Sequence, residues 1–122
     1  MSTVLLIYDD WGVRTLVTLA LGIEGTTVWS ASDGREALKI LTHERVDLVI
    51  LDLETIGLDG TLMFQEARRE GFEGPILALS AFGTELAALE LAAEVTLSKP
   101  LDLDELIVTT RNLLGAGDRA GS

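Results

Sequence analysis

The feature that most constrains this chain is a fivefold alternation of short apolar runs with amphipathic stretches. Val4 to Tyr8 is an apolar run bounded by polar residues, the mark of a strand buried on both faces. Val13 to Leu21 follows, with Val13, Leu16, Val17 and Ala20 at helical spacing. Thr26 to Trp29 is β-branched and aromatic after Gly25, so it reads as a second strand. Asp33 and Glu36 stand at capping-box spacing and open a helix to about Glu44, with Ala37, Leu38 and Leu41 facing inward. Leu48 to Leu51 is a third strand, Gly57-Leu58-Asp59-Gly60 a turn, and Leu62 to Glu70 a helix closed by Gly71. After Gly74-Pro75 come a fourth strand, Ile76 to Leu79, and an Ala/Leu helix, Thr84 to Ala93. Val95 to Leu97 is a short fifth strand. Asp102 and Glu105 form a second capping box, opening a last helix to about Leu114.

Strands that alternate with helices need crossover connections, and these put helices on both faces of a parallel sheet. Right-handed crossovers leave few topologies. The expected fold is α/β: a flavodoxin-like (βα)5 doubly wound parallel sheet with strand order 2-1-3-4-5. The 122 residues fit a single domain, expected over residues 1–115, with the Gly/Ala-rich residues 116–122 as a flexible C-terminal tail.

Composition removes several function classes. Asp and Glu number 20 against 9 Lys and Arg, a net charge of −11, which argues against nucleic acid and against anionic membrane surfaces. With 48% hydrophobic residues the chain is not a disordered acidic tail. The absence of cysteine excludes disulfides, thiolate zinc sites and a cysteine nucleophile. The single histidine, His43, reads as an exposed cap at the end of the second helix. No basic leader precedes the first strand, and no apolar run approaches the ~20 residues of a membrane span, so a cytoplasmic location is expected.

In an open α/β sheet ligands bind beyond the carboxyl ends of the strands, at the point where strand order reverses. Here strand 1 ends in Asp9-Asp10, strand 3 in Asp52, strand 4 in Ser80 and strand 5 in Ser98-Lys99-Pro100. Three carboxylates, a hydroxyl and an ammonium are therefore expected to converge on one edge. Such carboxylates repel unless a cation sits among them. Lys99 supplies one charge, and Mg²⁺, which takes one or two carboxylates plus phosphate oxygens and waters, would supply the rest. An Asp carboxylate can attack phosphorus to form an aspartyl phosphate, with the metal and a lysine offsetting the phosphoryl charge.

Five ordered segments carry a resemblance. They are Leu5-Leu6-Ile7-Tyr8-Asp9-Asp10, Asp47-Leu48-Val49-Ile50-Leu51-Asp52-Leu53, Gly57-Leu58-Asp59-Gly60, Ile76-Leu77-Ala78-Leu79-Ser80-Ala81, and the run Leu97 to Leu106 beginning Leu97-Ser98-Lys99-Pro100. From Val4 to about Leu114 the sequence resembles the receiver domain of two-component response regulators. The resemblance implies that Asp52 is the phosphoacceptor. It implies a Mg²⁺ site with Asp10 as direct ligand, Asp9 helping through water, Asp52 itself and the backbone carbonyl of Glu54. It also implies that Ser80 moves to the phosphoryl group, that Lys99 pairs with a phosphoryl oxygen, and that the Lys99–Pro100 bond is cis. The implied partners are a sensor histidine kinase or histidine phosphotransfer protein, and a downstream protein or an output domain on a longer chain. No catalysis beyond the domain's own phosphorylation and dephosphorylation is implied.

The sequence departs from the family pattern in places. Ile56 stands where proline is usual, and Thr96 replaces the usual switch aromatic. Ser80 and Lys99 are nineteen positions apart, a few fewer than usual, so the fourth helix or its loops should be short or irregular. Glu54 and Phe82 occupy variable positions beside the site, and Phe82 is a candidate carrier of the conformational shift. Elsewhere, the Glu54 side chain reads as solvated and Trp11 as a packing or partly exposed aromatic. Trp29 reads as core, Arg68-Arg69 as a solvated helix face, and the fourth helix as mostly core, with Leu91 and Ala87 a candidate partner patch.

Three other classes share part of this pattern. A flavodoxin-like electron carrier needs a hydroxyl- and glycine-rich phosphate loop after strand 1, where this chain has two carboxylates. A haloacid-dehalogenase-type phosphatase uses Asp-x-Asp, which Asp52-Leu53-Glu54 echoes with Glu in the second place. A pseudo-receiver, a phosphorylation-independent binding module, is favoured by Thr96 and the short fourth helix and disfavoured by Asp10, Asp52, Ser80 and Lys99. Mg²⁺ binding and phosphate acceptance separate it from a working receiver.

Overall fold

The structure, a computed structural model, describes residues 2–81 and 83–120. Phe82, expected beside the site, lies outside the described residues, as do residues 121–122 of the expected tail. In chain order the elements are β1 (Thr3–Ile7), α1 (Trp11–Ile23), β2 (Thr27–Ala31), α2 (Gly34–His43), β3 (Leu48–Asp52), α3 (Leu53–Arg69), β4 (Ile76–Ser80), α4 (Glu85–Glu90), β5 (Val95–Ser98) and α5 (Leu103–Ala120). All strand pairs are parallel, in the order β2-β1-β3-β4-β5. This is the expected flavodoxin-like topology.

The apolar runs explain the layering. Side chains alternate faces along a strand, so a run apolar at every position must be covered on both sides. Leu5, Ile7, Val49, Leu51, Ile76 and Ala78 pack with Ala37, Phe64 and Ala88 of α2, α3 and α4. Val4, Leu6, Leu48, Ile50, Leu77 and Leu79 pack with Val17 and Leu21 of α1 and Leu106 of α5. β3 and β4 are buried throughout and β1 is buried from Val4 onward, whereas the edge strands β2 and β5 are partly open.

The caps at Asp33 and Asp102 follow the sequence signals, and Asp10 adds a third that the sequence reading did not assign. Asp10 accepts from the Val13 N–H at 3.0 Å, Asp33 from the Glu36 N–H at 2.8 Å and Asp102 from the Glu105 N–H at 3.1 Å. His43 is exposed, its Nδ1 2.8 Å from the Lys39 carbonyl in the last turn of α2. The expected turn at 57–60 is a kink inside α3: Gly57 takes φ 62°, a conformation that costs any residue with a Cβ. Gly60 is needed for a different reason, because a Cβ there would stand 2.5 Å from the Ile56 Cβ. As the spacing required, α4 is short, with six residues. The last helix does not stop near Leu114 but extends to Ala120.

Several burial expectations are corrected. Trp29 is not core but 41% exposed, because it lies on the edge strand β2. Leu16 is likewise exposed, and α1 buries Val17 and Leu21 instead. Leu91 is not a surface patch; it is buried, while Leu86 and Leu89 are the exposed apolar residues of α4. Arg68 is not merely solvated. It donates to the Gly74 carbonyl at 2.7 Å, pairs with Glu94 at 3.1 Å and lies over the Phe72 ring. Its neighbour Arg69 is exposed, as expected.

Candidate functional site

The parallel register lines up the carboxyl ends of the strands. Ile7 stands beside Leu51, Asp52 beside Leu79, and Ser80 beside Ser98. The loops that leave these ends therefore begin at one edge. Asp52 is the last residue of the central strand β3 and is 2% exposed. A carboxylate so buried needs compensation, and the compensation comes from β5. Lys99 Nζ lies 2.7 Å from Asp52 Oδ1 and 2.8 Å from Glu54 Oε1. Its ammonium also sits 5.0 Å from the centre of the Tyr8 ring. Burial lowers the Lys99 pKa, but hydrogen bonds and charge from Asp52 and Glu54 outweigh it and hold the group above its ordinary value. The Lys99–Pro100 bond is cis, as expected.

The two oxygens of Asp52 differ. Oδ2 accepts the Thr55 hydroxyl at 2.7 Å. Oδ1 pairs with the Lys99 ammonium at 2.7 Å and has no other partner among the described residues. Thr55 is held in turn by the Asp9 N–H, which donates to its Oγ1 at 3.2 Å. Arg14 closes the adjacent loop by donating to the carbonyls of Tyr8 at 2.6 Å and Asp9 at 3.1 Å.

The expected convergence is only partly realised. Lys99 and Asp52 meet. Glu54 joins them through a side chain that is exposed yet bonded to Lys99. Asp9 and Asp10 are both exposed, and the Asp10 carboxylate turns back to cap α1. Ser80 is 6% exposed, with its Oγ 2.7 Å from Thr84 Oγ1 and 3.2 Å from the Ala81 carbonyl. Among the described residues no group of three or more His, Asp and Glu side chains stands close enough together to hold a metal ion. The donor chemistry nevertheless suits Mg²⁺. That ion asks for only one or two carboxylates and keeps its waters, and the buried Asp52 carboxylate has for countercharge a single ammonium that Glu54 shares. Sequence reading missed Thr55, Thr84, Tyr8 and Arg14. The signals for the two threonines were local, since Thr55 follows Asp52 by three positions in the first turn of α3 and Thr84 follows Ser80 by four in the loop before α4.

A doubly wound five-stranded domain with a carboxylate–ammonium pair at its switch point belongs to the flavodoxin-like class that places its chemistry at strand ends. Within that class the comparisons are specific. The family model for the response regulator receiver domain matches residues 4–111. This chain belongs to the response regulator receiver domain family. Response regulator MprA of Mycolicibacterium vanbaalenii is 36% identical over 96% of this chain and 55% of its own length. The transcriptional regulatory protein GlrR of Escherichia coli is 38% identical over 84% of this chain and 24% of its own. The chain spans about half the length of the first relatives it matches. Among solved structures, the receiver domain of the Francisella response regulator 1452 superposes with a TM-score of 0.85 at 25% identity, covering 96% of this chain and 99% of that one. The chemotaxis response regulator CheY4 of Vibrio cholerae superposes with a TM-score of 0.80 at 28% identity, over 93% and 98% of the two chains.

Proposed function

We propose that this receiver domain takes a phosphoryl group from a phosphohistidine onto Asp52 in a Mg²⁺-dependent step, and signals through a protein partner or an output domain. The observation that carries this reading is the Asp52–Lys99 pair. A carboxylate 2% exposed at the end of the central strand, with one oxygen paired only to an ammonium 2.7 Å away, is a nucleophile with its countercharge in place. The phosphodonor is a sensor histidine kinase or a histidine phosphotransfer protein.

In the transfer, an Asp52 oxygen bonds to phosphorus as the P–N bond to the imidazole breaks. The electron pair leaves with the imidazole, which takes a proton from solvent. Lys99 lies where the incoming phosphoryl oxygens need positive charge. Asp10, with Asp9 through water, Asp52 and the Glu54 backbone carbonyl would hold Mg²⁺, which when bound offsets charge on the phosphoryl oxygens. Ser80 exchanges its bond to Thr84 for one to the phosphoryl group. The domain thus assists its own phosphorylation and its hydrolysis by water, and has no other substrate.

The test is the intact mass after incubation with acetyl phosphate and Mg²⁺. The expected result is a gain of one phosphoryl group that is absent with EDTA and absent in Asp52→Asn. A folded chain that gains no mass under these conditions acts instead as a phosphorylation-independent binding module.

A further inference from the structure

Asp52 occupies the N-cap position of α3, yet its side chain accepts no backbone N–H there. In place of a backbone donor it receives the hydroxyl of Thr55, in the first turn of the same helix, at 2.7 Å. The direction of that bond is fixed. The carboxylate can only accept, and the Asp9 N–H already donates to Thr55 Oγ1. The hydroxyl proton is therefore aimed at Oδ2 by a backbone amide from the loop after β1. Apart from the Lys99 ammonium on Oδ1, no other described donor hydrogen-bonds either Asp52 oxygen.

We infer that Thr55 is a positioning residue that shortens the lifetime of the phosphorylated state by stabilising the Asp52 carboxylate as leaving group. The inference rests on the reading of Asp52 as phosphoacceptor. Thr55 engages Oδ2, whereas Oδ1 faces only the Lys99 ammonium, which turns to the incoming phosphoryl oxygens; phosphorus therefore bonds to Oδ1 and Oδ2 becomes the carbonyl oxygen of the acyl phosphate. In hydrolysis a water oxygen attacks phosphorus and the P–Oδ1 bond breaks. Its electron pair returns to the carboxylate, the water gives up its proton to solvent, and inorganic phosphate departs. Negative charge thereby grows on the carboxylate, including Oδ2. A hydroxyl bond to a charged acceptor is stronger than one to a neutral carbonyl. Thr55 thus stabilises the transition state for loss of the phosphoryl group more than it stabilises the acyl phosphate.

The test compares the wild-type chain with Thr55→Val, which keeps the shape and removes the donor, and Thr55→Ser, which restores the donor. Each is phosphorylated with acetyl phosphate and Mg²⁺ and freed of donor, and the decay of the phosphoryl mass is followed. Thr55→Val is expected to decay about fivefold more slowly, the ratio set by the difference between charged and neutral acceptors, and Thr55→Ser to decay at the wild-type rate. A site merely loosened by the substitution would admit water and decay faster, so the sign separates a chemical role from a structural one. Circular dichroism establishes that Thr55→Val is folded; if it is not, Thr55→Ala at this half-buried position takes its place. Decay of the donorless variant at or above the wild-type rate overturns the role of Thr55, as does slow decay of Thr55→Ser. If the wild-type chain takes up no phosphoryl group, the reading of Asp52 as acceptor fails and the inference falls with it.

Discussion

Lys99 divides one positive charge between two carboxylates of different standing. Asp52 is almost wholly buried, whereas the Glu54 side chain is half exposed. Removing the ammonium would strand the Asp52 charge, so Lys99→Met should destabilise the fold by about 1–3 kcal/mol, toward the lower end because Lys99 itself reaches solvent. The sign of the pH dependence follows from the raised Lys99 pKa. A group held above its unfolded value contributes stability that is complete below about pH 10.4 and is lost as pH climbs through the folded value. The gap in urea midpoint between wild type and Lys99→Met should stay constant from about pH 7 to about pH 10 and narrow only above that. A gap that closes near neutrality would contradict the pairing. The lysine and the aspartate were legible in the sequence as strand-end residues. The part played by Glu54 was not, because a solvated acid and one that reaches an ammonium 45 positions away look the same in a linear pattern.

The kink in α3 shows how far local signals carry at the scale of an element. Gly57 and Gly60 announce a turn, and a break in helical geometry occurs at Gly57, but the chain stays helical on both sides of it. Ile56 stands where a proline was expected and is buried against the core, its Cβ filling the space that Gly60 leaves open. Gly60→Ala should therefore cost about 1–3 kcal/mol through overpacking against a side-chain root that cannot swing away. Gly22→Ala, in α1 with nothing within reach of an added Cβ, should instead stabilise by about 0.5–1 kcal/mol by restricting the unfolded chain. Thermal unfolding of the two variants beside the wild type checks both signs. The shortness of α4 was legible by counting, because the nineteen positions from Ser80 to Lys99 must hold β5 as well as the crossover and leave little for a helix. The extent of α5 was not legible, because its Gly/Ala-rich end lacks the periodicity that marks a packed face.

The whole molecule is two half-cores on either side of one sheet, with Asp52 and Ser80 both at the carboxyl ends of β3 and β4. Charge added at Asp52 would pull on Lys99 directly and draw Ser80 away from its bond to Thr84, just before α4. Thr96 on β5 is exposed and lines a hollow with Ala88, Leu89, Ala92 and Ala93, so no aromatic ring relays the movement from that position. Amide shifts between free and phosphorylated protein should accordingly change along Ala81 to Ser98, while those of the outer edge strand β2 stay fixed. Identical spectra along Ala81 to Ser98 would show that the shift does not travel through this face.

The sequence by itself determined the strand count, the alternation, the topology and the identity of the residues at the strand ends. A parallel strand buried on both faces must be a continuous apolar run, so the charges that interrupt such runs mark the functional edge. Only the tertiary structure decided which of those groups pair. It joins Lys99 to Asp52 and Glu54, turns Asp10 back onto its own helix, sets Ser80 against Thr84 and aims Thr55 at Asp52. It also exposes Trp29 by assigning β2 to the sheet edge. The physical reason is one of range. Hydropathy periodicity averages over a whole element, whereas a hydrogen bond or ion pair is settled within a few tenths of an ångström among donors and acceptors that meet only after the elements have packed.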